Sequence, residues 1–482
     1  MYILSNVYIY IMSACKKNLT FQEKELAILR MAVDLAEEKA GRKIAQSEEV
    51  KKIIDIVENF LRRKKLICYG GTAINNILPV GDQFYNKDVE IPDYDFFSHS
   101  ALTDAKELAD IYAEAGYTDV EAKSGVHHGT FKVYVNFIPV ADITYIPKEL
   151  FKSLTREAIK VNGILYSPPN YLRMGMYLEL SRPRGDVSRW EKVLKRLVLL
   201  NKNYPMANPK CNHIDFMRSF EGNDNETNEI YKIVRNSFTD QGLVFFGGYA
   251  SSLYSNYMPK NKREMFNRKN PDFDVLSEDP ETSATILKER LQDEGFENVK
   301  IHKHPGFGEI ISEHYEVAID TDTVAFIYKP LACHSYNIIR FGGKKVKVAT
   351  IDTMLSFFLA FLYANRPYYE HDRIICMSQY LFKVQAKNRL KQKGVLKRFS
   401  LKCVGNQKTL EDSRQEKSKM FEKLKHKRGS KEYDEWFLRY APGEKKAIKA
   451  TGKAKKHYKK KKTRRKINKK KRGTRKKNIL GF

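Results

Sequence analysis

One short pattern occurs twice in this chain and constrains its fold more than any other feature. An apolar, strand-like run ends in Gly-Gly, a helix-compatible stretch follows, and Asp-x-Asp then lies on a second strand-like run. The copies contain Gly70-Gly71 with Asp93-Tyr94-Asp95, and Gly247-Gly248 with Asp272-Phe273-Asp274. The first glycine precedes the first aspartate by 23 residues in one copy and by 25 in the other. This repeat predicts two tandem domains of the same fold.

The first copy has the residue types of a phosphoryl-transfer site. A Gly-Gly turn at a helix start lets backbone N–H groups approach a phosphate, which places Gly70, Gly71 and Thr72 at the phosphates. Asp93 and Asp95 share one face of their strand because side chains alternate along it. Asp142 lies in a further apolar run at 138–146.

Carboxylates side by side on a strand repel one another, and a divalent cation such as Mg²⁺ removes that repulsion. The three aspartates beside the glycine turn therefore predict a two-metal site for phosphoryl or nucleotidyl transfer. A simple turn, or a solvated strand end, would explain either motif alone. The three motifs together, in this order, favour an active site with Asp93, Asp95 and Asp142 as catalytic residues and metal ligands.

The second copy lacks one part of the pattern. Its third apolar run, 324–328, contains no carboxylate, and Asp320 and Asp322 lie just before it. A shift of one or two residues changes the face and depth of a strand side chain. Tyr249 also stands where the first copy has Thr72. We predict that the first copy is catalytic and that the second is structural or holds RNA. The opposite assignment, or two active sites, remains an alternative because Asp272 and Asp274 are intact.

The elements around these motifs predict an α/β (α+β) fold. Thr20 with Glu23 forms a capping box, and Ser47 precedes a second amphipathic helix; both helices are expected to pack on the catalytic sheet as scaffold. A helix at 101–115 is followed by strands at 118–122, 130–136 and 137–146. Each domain should be a small mixed sheet covered by helices. The turn at 123–129 contains His127-His128, for which a surface hairpin is favoured over a metal site.

Composition shifts divide the chain further. The predicted divisions are an N-terminal extension at 1–15, a catalytic domain at 16–200, a linker at 201–226, a second domain at 227–400, a helical, charged extension at 401–442 and a Lys/Arg-rich tail at 443–482. Residues 1–14 are apolar but too short to span a bilayer, and they lack the basic start of a signal peptide. The aromatic segment 433–440 is expected to dock on the body.

Charge and cysteine usage indicate the partner and the compartment. The tail contributes +19 of the net charge of +29, which leaves +10 for the rest of the chain. Such a tail is predicted to be disordered and to bind the phosphates of a polyanion without sequence preference. It also resembles a nuclear localisation signal, which is the weaker interpretation. The 6 cysteines are scattered with no C-x-x-C pair, which predicts a reducing compartment without disulfides or a zinc site.

Gly70-Gly71-Thr72, Asp93-Tyr94-Asp95 and Asp142 together resemble the signature of the polymerase-β-like nucleotidyltransferases. Segments 69–75, 92–98 and 181–192 are similar to the poly(A) polymerase catalytic subunits of large nucleocytoplasmic DNA viruses, both giant-virus and poxvirus-like, and the similarity extends from about residue 22 to residue 372. Thr72 stands where many superfamily members have Ser, and it keeps the hydroxyl.

The resemblance implies template-independent addition of AMP from ATP to RNA 3′ ends, with two Mg²⁺ or Mn²⁺ ions. It also implies that the helical segment 187–200 closes over the nucleotide. Arg189, Lys192, Lys195 and Arg196 are thus candidates for triphosphate or RNA contact, although a solvated helix face explains them equally well.

The partners implied are the 3′ end of mRNA, ATP and either a processivity subunit or a second copy of the chain, with no membrane. The expected location is the viral factory in the host cytoplasm, with the virion and the nucleus as alternatives. Two rival functions stay open: nucleotidyl transfer to another acceptor, and an inactive RNA-binding scaffold. The basic tail favours nucleic acid over a small molecule, and the intact aspartates of the first copy favour an enzyme.

Overall fold

The fold is taken from a computed structural model of the chain. It describes residues 20–86, 88–206, 208–212, 214, 216, 220, 223–266 and 272–443. The predicted N-terminal extension at 1–15 and all but the first residue of the predicted disordered tail lie outside these residues. In the described part, no helix combines the length and the apolar character needed to cross a bilayer.

The N-terminal half builds the first sheet and its helices. In chain order these are α1 (Phe21–Ala45), α2 (Glu48–Lys64), β1 (Ile67–Cys68), α3 (Gly70–Ile77), β2 (Tyr94–Ser98), α4 (Ala101–Glu114), β3 (Val120–Ser124), β4 (Thr130–Val135), β5 (Ile138–Tyr145), α5 (Lys148–Glu157), β6 (Ile159–Val161), β7 (Ile164–Tyr166), α6 (Pro169–Leu180) and α7 (Trp190–Asn203).

The C-terminal half builds the second sheet and then returns to the first. Its elements are α8 (Asp224–Asp240), β8 (Val244–Phe245), α9 (Gly248–Tyr254), α10 (Lys260–Phe266), β9 (Phe273–Leu276), α11 (Pro280–Asp293), β10 (Val299–His304), β11 (His314–Ile319), β12 (Asp322–Tyr328), β13 (His334–Phe341), β14 (Lys344–Ala349), α12 (Ile351–Phe361), α13 (His371–Lys387), β15 (Cys403–Val404), α14 (Leu410–Leu424), α15 (Lys431–Phe437) and β16 (Arg439–Tyr440).

The two sheets share one topology. The first has the strand order β16-β3-β4-β5-β2-β1-β7-β6 and the second β10-β11-β12-β9-β8-β14-β13-β15. In the first, β5 runs parallel to β2, β2 antiparallel to β1, and β1 parallel to β7. In the second, β12, β9, β8 and β14 repeat these directions in the same order. The predicted tandem repeat of mixed sheets covered by helices is therefore confirmed.

The two N-terminal helices differ in how they pack. Helix α2 buries one face against the first sheet, as its periodicity predicts, with Ile53, Val57, Phe60 and Leu61 in the core. Helix α1 begins at the predicted capping box, in which Thr20 Oγ1 accepts from the backbone N–H of Glu23 and the Thr20 N–H donates to Glu23 Oε2. Its Leu26, Leu29 and Val33 are exposed, so the prediction that α1 packs on the catalytic sheet is wrong for the described residues. Periodicity identifies an apolar face but not what covers it.

The C-terminal extension docks on the first sheet, as predicted for segment 433–440. Strand β16 pairs antiparallel with β3. Leu438 is buried, and Tyr440 Oη donates to Asp110 on α4 at 2.6 Å. The last described elements of the chain therefore complete the edge of the catalytic sheet.

Two disulfides contradict the prediction of a chain without them. Cys211 is bonded to Cys376, and Cys333 to Cys403. The partners are 165 and 70 residues apart in sequence, so no local spacing could reveal them. The first bond ties the segment that was predicted to be a linker to α13.

Candidate active site

The three predicted catalytic aspartates lie on neighbouring strands of the first sheet. Asp95 is on β2 and stands directly opposite Asp142 on the parallel strand β5. Asp93 precedes Asp95 by two residues and so shares its face. All three line one cleft of about 870 Å³, the size of a small-ligand site. The structure thus brings together residues that are 49 positions apart.

The negative charges of the three aspartates lie close enough to repel one another. Burial raises the pKa of Asp95 to about 7, and the charges of Asp93 and Asp142 add to the rise. Burial and the Asp142 charge also raise the pKa of Asp93. Lys132 on β4 donates to one oxygen of Asp142, while the other, Oδ1, is buried without a hydrogen-bond partner among the described residues. One lysine does not neutralise three carboxylates.

This arrangement fits a divalent cation. Within the described residues, no three His, Cys, Asp or Glu side chains already stand in the geometry of a metal site. The donors present are nevertheless hard carboxylate oxygens, which Mg²⁺ and Mn²⁺ prefer. The unpartnered Asp142 Oδ1 supplies a free acceptor. Burial first, and then the neighbouring carboxylate charges, raise the pKa values of Asp93 and Asp95, and a bound cation would offset both effects.

The glycine pair forms the start of α3 beside these carboxylates. Gly70 has φ +73°, a left-handed conformation that favours glycine, and a Cβ there would collide with the Asp95 carboxylate. At Gly71 a Cβ would lie 2.5 Å from Tyr85 Oη and 2.9 Å from Arg196 Nη1. Gly70 is therefore required by its backbone conformation, whereas a side chain at Gly71 would push the ends of Tyr85 and Arg196 aside. The helix start at these glycines lies in the cleft lining, where its N–H groups would stabilise a phosphate.

Thr72 has a contact that the sequence did not predict. Its buried hydroxyl donates to the backbone oxygen of Asp93 at 2.7 Å. The hydroxyl proton is thus used to fix the strand that presents Asp93. A phosphate contact from Thr72 stays a prediction.

Helix α7 and the turn before it place cations on the opposite wall. Arg189, Lys192 and Arg196 all line the cleft. Arg196 Nη2 donates to Tyr85 Oη at 2.6 Å, and its guanidinium lies 4.8 Å from the ring centre of Phe84. Arg189 Nε lies 3.1 Å from Glu179 Oε1.

The fourth predicted cation lies elsewhere. Lys195 is exposed, contacts Glu191 at 2.6 Å and is not part of the cleft lining. The solvated-face explanation fits Lys195, whereas the other three cations are brought together.

Sequence reasoning missed three residues that shape the cleft. Asn75 Oδ1 accepts from the backbone N–H groups of Phe84 and Tyr85 at 2.8 and 2.9 Å, which fixes the loop that holds Arg196. No sequence signal marks Tyr85 or Asn75. Lys132 was not accessible from the hairpin pattern, because a register shift at Val133/Tyr134 sets it across from Asp142, whereas a regular hairpin would set it across from Ala141.

The second copy differs from the first at the position that corresponds to Asp142. Strand β12 runs parallel to β9 and sets Phe326 opposite Asp274, where the first copy has Asp142 opposite Asp95. The register thus confirms that the run 324–328 supplies no carboxylate opposite Asp274, since Asp322 at the start of β12 pairs with Ile319 on β11. Arg373 on α13 lies 3.2 Å from Asp272, so a protein cation occupies the corresponding place.

The predicted hairpin at 123–129 is confirmed between β3 and β4. His127 reaches the rim of the cleft, and the ring of His128 lies 4.2 Å from that of Trp436. This part of the rim is therefore built jointly by the hairpin and the C-terminal extension.

Known proteins resemble this chain in the sequence of the first copy and in the fold of most of the chain. Residues 55–186 match the family model described as "Poly(A) polymerase catalytic subunit". A putative poly(A) polymerase catalytic subunit of African swine fever virus (strain Badajoz 1971 Vero-adapted) is 35% identical over 173 residues, which are 35% of this chain and 36% of that protein. The chain thus spans about a third of the length of the African swine fever virus relatives it matches.

Two further matches extend over most of the chain. A putative poly(A) polymerase catalytic subunit of Acanthamoeba polyphaga mimivirus is 23% identical over 425 residues, 78% of this chain and 70% of that protein. The crystal structure of the Megavirus polyadenylate synthase superposes with a TM-score of 0.74 at 20% identity, covering 88% of this chain and 86% of that one. The predicted resemblance and the predicted fold are confirmed, and the family match includes Gly70 to Asp142 with all three aspartates.

Proposed function

We propose that the chain adds AMP from ATP to RNA 3′ ends without a template, on the premise that residues 55–186 match the family model of the poly(A) polymerase catalytic subunits. This is the reaction of mRNA polyadenylation. The observation that supports it most is the convergence of Asp93, Asp95 and Asp142 in one cleft beside the glycine-started helix α3.

The aspartates would hold two Mg²⁺ or Mn²⁺ ions. When bound, such ions activate the attacking hydroxyl and stabilise the in-line transition state. Asp93 and Asp95 face the cleft from one strand, and Asp142 faces it from the next. Asp142 would complete the metal site that activates the 3′-hydroxyl of the RNA.

The ATP phosphates would lie between α3 and α7. The N–H groups of Gly70 and Gly71 offer donors at the positive end of α3. Arg196 faces them from α7 and is already oriented by Tyr85 and Phe84, so little side-chain entropy is lost when it binds a phosphate. Arg189 and Lys192 supply further positive charge on the same wall. Catalysis would consist mainly of positioning and charge neutralisation.

The other parts of the chain would serve the RNA. The tail that begins at 443 has the charge to bind phosphates without sequence preference. The second copy would be structural, because Phe326 and Arg373 take the places of a carboxylate and a cation. The description of the relatives as catalytic subunits supports a partner subunit in general. In our proposal this partner is a processivity subunit or a second copy of this chain.

The test is extension of a labelled RNA primer with Mg²⁺ and each nucleoside triphosphate supplied separately. We expect a ladder of products with ATP and little extension with the other three. Equal extension with all four nucleotides would contradict adenylate specificity. Transfer of AMP to a small hydroxylated acceptor, but not to RNA, would contradict the proposed acceptor.

A further inference from the structure

A row of charged side chains crosses the first sheet and leads away from the catalytic aspartates. The strand registers pair Asp142 on β5 with Lys132 on β4, Lys132 with Lys123 on β3, and Lys123 with Arg439 on β16. Directly paired residues project from the same face of a sheet. The four side chains therefore form one line across four strands, about 14 Å long at about 4.8 Å per strand.

This face of the sheet is open to solvent. Phe131 and Val133 alternate with Lys132 along β4 and are buried, which places Lys132 on the opposite, accessible face. The side chains of Lys132 and Lys123 keep 33% and 38% of their exposure, and Arg439 is exposed. The cleft continues directly onto this face, because Thr130 at the start of β4 belongs to its lining.

An aromatic ring accompanies the charges. Tyr134 lies two residues beyond Lys132 on the same face of β4, and Lys123 Nζ is 4.0 Å from its ring centre. Glu121 also faces this side and lies 3.3 Å from Lys123. Positive charges that track a backbone, next to a ring on which a base can stack, are typical of surfaces that bind single-stranded nucleic acid.

We propose that Lys132, Lys123 and Arg439, here called the basic row, bind the RNA backbone just upstream of its 3′ end. The inference rests on the proposed function, in which RNA is the acceptor. The row begins beside Asp142, where the reacting hydroxyl would lie, and ends on β16, after which the chain enters the basic tail within a few residues. The occupant is single-stranded RNA, because its phosphates complement the row.

The C-terminal extension is built to hold Arg439 in this row. Ser124 at the end of β3 donates from Oγ to the Trp436 oxygen at 2.9 Å and from its N–H to the Leu438 oxygen at 3.1 Å. Lys106 pairs with Asp434 at 2.6 Å. These contacts fix β16 against β3, so the extension completes the proposed RNA surface.

The test replaces the two outer charges in the full-length chain, as Lys123→Ala/Arg439→Ala. Lys24→Ala/Arg30→Ala on α1 is the matched control, since it removes the same two side-chain types from an exposed surface. Binding of a fluorescent single-stranded RNA is measured by anisotropy over a range of salt concentrations. In the row variant, the slope of log Kd against log salt should fall by about 1.4, which is about 0.7 for each RNA phosphate that the protein no longer neutralises. The KM for RNA should rise about 2- to 20-fold, more than the KM for ATP.

If the row variant has the same salt slope and the same KM for RNA as the control, the proposal that the basic row binds RNA is wrong. A wild-type chain that adds no AMP would refute the proposed function, but the anisotropy comparison would still decide whether the row binds RNA. A second measurement places 4-thiouridine three nucleotides from the 3′ end and maps the photo-cross-link. A cross-linked peptide containing Tyr134 is expected, and cross-links confined to other parts of the chain would contradict the path.

Discussion

The ion pair between Asp272 and Arg373 offers a test of whether the second copy has a structural role. Asp272 and Arg373 lie 3.2 Å apart with side chains that are only 2% and 10% exposed. Arg373 also donates to the backbone oxygen of Phe216 at 3.1 Å. Replacing Arg373 by Met removes the cation that α13 supplies to this buried carboxylate.

The expected loss of stability follows from this burial. Removing one partner of a buried pair costs about 3–5 kcal/mol, whereas neutralising both partners is often nearly neutral. Arg373→Met should therefore lower the free energy of unfolding by about 3–5 kcal/mol. The double variant Arg373→Met/Asp272→Asn should recover most of the lost free energy of unfolding. The protein that stays folded should keep its AMP addition, since neither residue lies in the catalytic cleft.

The assay is urea unfolding followed by circular dichroism, with AMP addition measured on the folded protein. Arg290→Met is the control, because its pair with Asp240, also at 3.2 Å, is exposed and is worth less than about 1 kcal/mol. A loss for Arg373→Met as small as that of the control would refute the structural role. So would a double variant no more stable than the single one, or a loss of activity in folded protein.

Three further predictions concern pH, the phosphate wall and the tail. Burial lowers the pKa of His334 to about 3, so the native state keeps it neutral while the unfolded state takes up a proton as pH falls below about 6.5. The free energy of unfolding should therefore fall between pH 7.5 and pH 5. In urea titrations, His334→Phe should lose about 2 kcal/mol less of this free energy over that range than the wild type does. Parallel pH profiles for the two proteins would contradict this prediction. Gly71→Ala should displace Arg196 and raise the KM for ATP about tenfold or more. The melting temperature should change by only a few degrees. An unchanged KM for ATP would rule out the proposed phosphate site. Deleting 443–482 should weaken RNA binding and flatten its salt dependence, and an unchanged salt slope would exclude the tail as an RNA tether.

The catalytic aspartates were predictable because each follows from a local rule. Alternation along a strand puts Asp93 and Asp95 on one face, and the repeat predicts the strands that bring Asp142 beside them. Lys132 was not predictable in this way, because a register shift in the β4–β5 hairpin is what sets it opposite Asp142. The defect of the second copy was also visible, since one strand lacks a carboxylate where the structure places Phe326.

The features that were missed depend on contacts between distant parts of the chain. The disulfide between Cys211 and Cys376 joins segments that meet only in the folded state. Tyr85 reaches Arg196 from a loop with no regular pattern. Helix periodicity does not show which side of α7 faces the cleft. Lys195 and Arg196 were therefore equal candidates for triphosphate or RNA contact.

The most direct test of the active-site assignment compares the same substitution in the two copies. Asp95→Asn and Asp274→Asn remove equivalent carboxylates, and thermal melting establishes that each variant is folded. We expect Asp95→Asn to reduce AMP addition by at least about a thousandfold, because a metal ligand is removed. Asp274→Asn should retain activity close to that of the wild type. Loss of activity in folded Asp274→Asn, with normal turnover by Asp95→Asn, would move the active site to the second copy and contradict the assignment.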